Sequence, residues 1–140
     1  LRGVQPAFGK AEAEEIANNL LNYLLYGSNV LLRGEYARSL EVLFFAQRLY
    51  LQGIRLLENA AEHFINPNKN LEGEISEEAY RAYAGCTCGL DPAAISVAYA
   101  NMLGEGKTLA AKLAERYGFD GHEALFGRVE AYFHAGGPEA

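Results

Sequence analysis

Residues 40–57 read LEVLFFAQRLYLQGIRLL, and apolar side chains fall on nearly every side of a helical period. A helix that is apolar all round sits at the centre of a packed domain, so this stretch predicts a buried central helix from about Glu35 to Phe64. Its few polar residues are ordered. Glu41, Arg48, Arg55 and Glu62 stand seven apart and form one stripe, either exposed to solvent or presented to another domain or ligand.

Upstream, Ile16, Leu20, Leu24 and Leu31 make an apolar stripe with Gly27 lying on it, which predicts a first helix from about Ala11 to Leu32. Glu12, Glu14 and Glu15 favour the positive end of its dipole. Arg33-Gly34 ends it, with Gly34 as a left-handed cap. Downstream, residues 63–75 (HFINPNKNLEGEI) gather Asn, Pro and Gly and read as a loop. Ser76 is an N-cap for a short helix that carries Tyr80 and Tyr83 on one face and ends near Gly85.

Asp91 caps a long helix with Pro92 at its first position. Its stripe runs through Ile95, Ala98, Tyr99, Met102, Gly106, Leu109 and Leu113, and Gly118 ends it. Gly104 and Gly106 weaken this helix, and close helix–helix approach is their usual explanation. Asp120 and Glu123 form a D-x-x-E capping box for a last helix with Leu125, Val129, Tyr132 and Phe133 on its apolar face. No stretch alternates as a strand would, and no fixed-period repeat occurs. The fold class is therefore all-α: an up-down bundle of about five helices over residues 11–135, with a linker at 1–10 and a flexible tail at 136–140.

The 140 residues fit one domain, long enough to bury its own core. Twelve Lys and Arg against 18 Asp and Glu leave a net charge of −6. That argues against nucleic acid as a partner, because neutralising phosphates needs a basic patch. No run of about 18 uncharged apolar residues spans a membrane, and no signal peptide is expected from the residues read. Cys86 and Cys88 are too few for a disulfide framework or a Cys-only zinc site. They read as reduced thiols at a helix end in a cytoplasmic protein. The chain opens at Leu1 and its single methionine is Met102, so the sequence predicts a piece of a longer protein whose preceding segment holds the chemistry.

No self-sufficient reacting centre is visible. GEGK at 104–107 lies inside a helical stripe with no strand before it, unlike a phosphate loop. His63, His122 and His134 have no partner at ligand spacing, so no metal set is predicted. Ser28, Ser39, Ser76 and Ser96 have no nucleophile signature around them. Arg116 with His122, and Arg128 with His134, match the Arg–His spacing of helical HEPN-type ribonucleases, although the first pair crosses Gly118 and Gly121.

Residues 22–43 read NYLLYGSNVLLRGEYARSLEVL, and 55–58 read RLLE. His63, Pro67, Lys69, Leu71-Glu72 and Ile75-Ser76 follow, then Tyr80-x-x-Tyr83, Cys86-Thr87 and Ala98-Tyr99. Over about residues 15–115 this order and spacing resembles the C-terminal helical domain of lincosamide nucleotidyltransferases. More distantly it resembles the helical half of kanamycin nucleotidyltransferases. The resemblance implies an N-terminal α/β domain that binds a nucleoside triphosphate (NTP) and Mg2+ through paired acidic residues and transfers a nucleoside monophosphate to an antibiotic hydroxyl. The helical domain would wall the acceptor pocket and help build a homodimer, holding no cofactor and no catalytic residue of its own.

One departure bears on mechanism. In the kanamycin-type enzymes a Glu and, four residues later, a Lys on the first helix of this domain take part directly. Their places fall on Asn22 and Tyr26, and Asn cannot act as a general base while Tyr carries no cation at pH 7. The resemblance therefore points to the lincosamide-like branch, with the base supplied by the other domain. Asn22, Tyr23, Tyr26 and Asn29 would contact the small-molecule acceptor, since amide and phenol groups on neighbouring turns suit a sugar or lincosamide ring. Arg33, Glu35 and Arg38 would stand near the domain junction. Two alternatives stay open: a non-catalytic helical protein-interaction module, and the HEPN-type ribonuclease.

Overall fold

The computed structural model describes residues 8–137. Residues 1–7 of the expected linker and 138–140 of the expected tail lie outside them. The described residues form six α-helices and a 3-10 turn, with no strand. The helices are α1 (Lys10–Leu32), α2 (Tyr36–Leu57), α3 (Leu71–Glu74), α4 (Glu77–Ala84), α5 (Pro92–Tyr117) and α6 (Glu123–His134). The 3-10 turn is Ala61–His63. No helix among the described residues is long and apolar enough to cross a membrane.

α1 turns back into α2 over a three-residue corner. Gly34 takes φ +83, and the amides of Gly34 and Glu35 return to the carbonyls of Leu31 and Val30 at 2.9 and 3.2 Å. This is the glycine-capped ending expected from the sequence. α1 and α2 pack antiparallel along their lengths, and α5 closes over both. α6 runs back along α5 and reaches α1. The segment between α2 and α5 carries the chain back across the bundle, so those two helices run side by side in the same direction.

One phenol keys the three long helices together. Tyr99 is fully buried and its hydroxyl donates to the Ser39 carbonyl at 2.6 Å. Its ring lies against Gly27, where a Cβ would fall 2.8 Å from two ring carbons. Gly106 has the same purpose beside Leu20 and Leu24, with a Cβ at 3.2 and 3.3 Å from their side chains. Gly104 meets only the Glu130 carboxylate at an ordinary 3.7 Å, so close approach explains the second glycine and not the first.

The central helix is shorter than its apolar run predicts. It stops at Leu57, not Phe64, because Asn59 adopts φ +56 and the Ala60 amide returns to the Arg55 carbonyl at 2.8 Å. Asn tolerates this left-handed turn better than most residues. Arg116 of α5 then donates to the carbonyls of Leu56 and Leu57 at 3.1 and 2.8 Å and to Asn59 Oδ1 at 2.9 Å. α2 is also less enclosed than its sequence implies, since Phe44 and Phe45 are 54% and 48% exposed.

The seven-residue polar stripe does not form one exposed face. Glu41 and Arg48 are exposed, but Arg55 is 0% exposed and clamps the return segment. Its guanidinium donates to the carbonyls of Pro67, Ala60 and Lys69 at 2.8–2.9 Å and to Glu74 Oε1 at 2.6 Å. A buried charge is tolerated only when paired and hydrogen-bonded, which is what this loop supplies. The loop expected at 63–75 also contains the single turn of α3.

Ser76 caps α4 by accepting from the Ala79 amide at 3.1 Å, and Asp91 caps α5 by accepting from Ala94 at 2.9 Å. The capping box expected at Asp120 does not form. Asp120 Oδ1 instead accepts from the His122 amide at 2.9 Å, and His122, at φ +55, becomes the residue before α6. Gly121 lies so close to α5 that a Cβ would sit 3.1 Å from the Ala110 carbonyl oxygen. At the other end, Phe8, within the expected linker, stacks on Phe64 with ring centroids 4.3 Å apart.

Candidate functional site

The residues expected to meet an acceptor lie at the α1–α2 edge of the bundle. Asn22, Tyr23, Tyr26, Arg33, Glu35 and Arg38 are exposed, and Asn29 is half-buried. Because α2 doubles back on α1, side chains far apart in sequence meet there. Arg38 sits over the Tyr26 ring, 5.6 Å from its centroid, and donates to the Tyr26 hydroxyl. Tyr23 stacks on Phe45 with centroids 5.6 Å apart and planes 17° from parallel. The result is a continuous surface of two phenols, a phenyl ring and a guanidinium.

The remaining residues do not join it in the same way. Arg33 and Glu35 pair with each other at 3.0 Å across the corner, both exposed. Asn29 Oδ1 accepts from the Tyr132 hydroxyl of α6, which points it to the other side of α1. Asn22 makes no side-chain hydrogen bond among the described residues. Arg38, Glu41 and Phe44 line a shallow open hollow on α2 that continues the surface. Phe44 and Phe45 fall in the stretch expected to be buried, and Glu41 in the stripe expected to face solvent, another domain or a ligand. Glu41 is exposed as expected, and the α1–α2 register turns Phe44 and Phe45 outward as well.

This surface presents ring faces, a cation and hydroxyl groups, the equipment for holding a hydroxylated ring against an apolar wall. Its one carboxylate at the corner, Glu35, is already held by Arg33.

A second polar cluster lies where the return segment meets α2. Ligand atoms of Glu62, His63 and Glu74 fall within 4.8 Å of one another. Spacing along the sequence did not show this grouping, because eleven residues separate His63 from Glu74. Yet Glu74 Oε1 is shared between His63 Nδ1 at 2.9 Å and Arg55 at 2.6 Å. These two partners, His63 first, hold the Glu74 carboxyl below the usual carboxylate range. A hard cation that carries nucleotide phosphates needs free carboxylate oxygens, and a buried guanidinium on the same oxygen opposes it. The cluster does not fit a Mg2+–nucleotide site.

The Arg–His pairs have structural surroundings. Arg116 holds the end of α2, His122 starts α6, and the His134 ring packs edge-on to Phe133 at 5.5 Å.

The family of lincosamide nucleotidyltransferase-like C-terminal domains matches residues 9–132. The chain belongs to this family. Its match spans α1 to nearly the end of α6, and so covers almost the whole bundle and the α1–α2 surface. A search of curated proteins gives no match. As a lincosamide nucleotidyltransferase-like C-terminal domain, the bundle is the helical part of the resemblance drawn from its sequence, over a longer span than the 15–115 expected there.

Proposed function

We propose that this domain is the acceptor-side wall of a nucleotidyltransferase that moves a nucleoside monophosphate from an NTP to a hydroxyl of an antibiotic-like small molecule. The observation that carries the reading is the family match over residues 9–132, joined to a surface whose chemistry suits a hydroxylated acceptor. Tyr23 and Phe45 would take the flat face of the acceptor, and Tyr26 and Arg38 its polar edge. Arg33 and Glu35 would stand at the junction with a preceding domain. That domain would supply the NTP, the Mg2+ and the base; residues of this chain bind and orient. A cytoplasmic homodimer is part of the proposal, with the exposed Phe44 as one contact between copies.

The test is nucleotide transfer by the parent protein. Incubated with Mg2+, an NTP and a panel of lincosamides and aminoglycosides, it should add one nucleoside monophosphate to an acceptor hydroxyl, read by mass spectrometry. Tyr26→Ala should raise KM for the acceptor more than it lowers kcat. No transfer to any hydroxyl acceptor would end the proposal and leave the exposed aromatic face as a protein-docking surface.

A further inference from the structure

On α2, Tyr50, Ile54 and Leu57 face away from the Arg38–Phe44 side, and together with α4 and α5 they enclose a cleft of about 540 Å³. Ligand cavities fall mostly between about 300 and 1,000 Å³, with a largely apolar lining and a few polar groups. This cleft has both. Ile54, Leu57 and Leu109 are among its apolar lining, and Glu58, Glu78, Glu105 and Lys112 are its charged lining. Glu58 is fixed in place, with its two oxygens accepting from the Ser76 amide and hydroxyl at 2.7 Å each. Glu105 lies half-buried beside Tyr50, whose phenol is pushed well above its ordinary range by burial first and by the Glu105 charge second.

Neither Glu58 nor Glu105 has a cation within 4 Å among the described residues. Lys112 lines the same cleft but makes no ion pair within 4 Å with either carboxylate. Both carboxylates accept hydrogen bonds but lack an ion-pair partner, so a bound cation would add a charge-assisted contact to them. The charge is also spread, since these carboxylates do not converge as the Glu62, His63 and Glu74 ligand atoms do. Spread carboxylates beside an apolar lining suit an organic cation better than a metal ion.

We propose that the cleft between α2, α4 and α5 binds a small amine with an apolar body, its ammonium between Glu105 and Glu58 and its hydrocarbon on Ile54, Leu57 and Leu109. The site is separate from the α1–α2 surface and does not depend on the transferase reading. Benzylammonium, benzyl alcohol and benzoate are of one size and differ in charge, so they serve as probes.

Amide chemical shifts of the 15N-labelled chain at pH 7 give the readout. Benzylammonium should shift Glu58, Ala79, Glu105 and Thr108 saturably in the millimolar range, benzyl alcohol more weakly, and benzoate not at all. Glu105→Gln should weaken benzylammonium about tenfold, the loss of one charge-assisted contact. Thr108→Trp, an exposed position on the rim, should abolish the shifts with the fold intact, and it stands as the test if Glu105→Gln fails to fold. Equal response to the alcohol and the ammonium, shifts confined to Tyr23 and Tyr26, or unchanged binding in both variants would overturn the proposal.

Discussion

The Tyr99 ring occupies the space that a side chain at residue 27 would need, and its hydroxyl reaches across to the Ser39 carbonyl. Gly27→Ala should force the ring outward and break that bond. Overpacking of this kind costs about 1–3 kcal/mol and a lost buried hydrogen bond adds about 1 kcal/mol. Urea unfolding of Gly27→Ala, Tyr99→Phe and the double variant should give a non-additive cycle, with the double variant less destabilised than the two single losses together.

Arg55 is the second structural key. Arg55→Met leaves three carbonyls and the Glu74 carboxylate without their shared donor, and breaking a buried ion pair costs about 3–5 kcal/mol. Limited proteolysis should then cut within residues 59–75 first.

The same cluster sets an acid limb. Glu74 is held below the ordinary carboxylate value of 4.5, by His63 first and then Arg55. A group depressed in the folded state contributes stability that is present above its unfolded pKa and lost as pH falls through the folded one. Stability should therefore decline below about pH 4.5. Glu74→Gln should flatten that part of the curve, read as the urea midpoint against pH.

The two cysteines should separate by reactivity. Burial, reinforced by the Glu105 charge, pushes the Cys86 thiol up to about 12, and Cys88 is raised by burial first and Asp91 second. Iodoacetamide at pH 8 should label the half-buried Cys88 slowly and Cys86 only on unfolding, as peptide mass mapping would report.

Arg116→Ala should lower stability by about 1–2 kcal/mol through loss of the donors at the end of α2. Arg128→Ala, at an exposed position, should change it by less than about 0.5 kcal/mol. Thermal melts of the two variants distinguish a capping arginine from a surface one.

The helix content and most helix ends were legible, because they rest on local chemistry. Gly34, Ser76, Asp91, Pro92 and Gly118 each act within a few residues of themselves, as the sequence implied. What was hidden depends on partners distant in sequence. Asn59 ends α2 with help from Arg116, 57 residues away, and Arg55 is buried only because a later loop wraps it. A seven-residue spacing cannot tell a solvated arginine from one under a loop. The close packing of Gly121 on α5 was hidden for the same reason, since its contact lies on another helix. The candidate site was half legible. Tyr23 and Tyr26 stand on neighbouring turns as the sequence implies, whereas Arg38, expected near a domain junction, meets Tyr26, and Phe44 and Phe45, expected in the core, are exposed.

Tyr99 fixes how far α1 can slide along α2, since it touches one and bonds the other. The spacing between Tyr23 and Phe45, and between Tyr26 and Arg38, is thus inherited from a contact deep inside the bundle. Substitutions lining that interior notch should therefore change the spacing of the outer aromatic pairs without altering any residue on that surface.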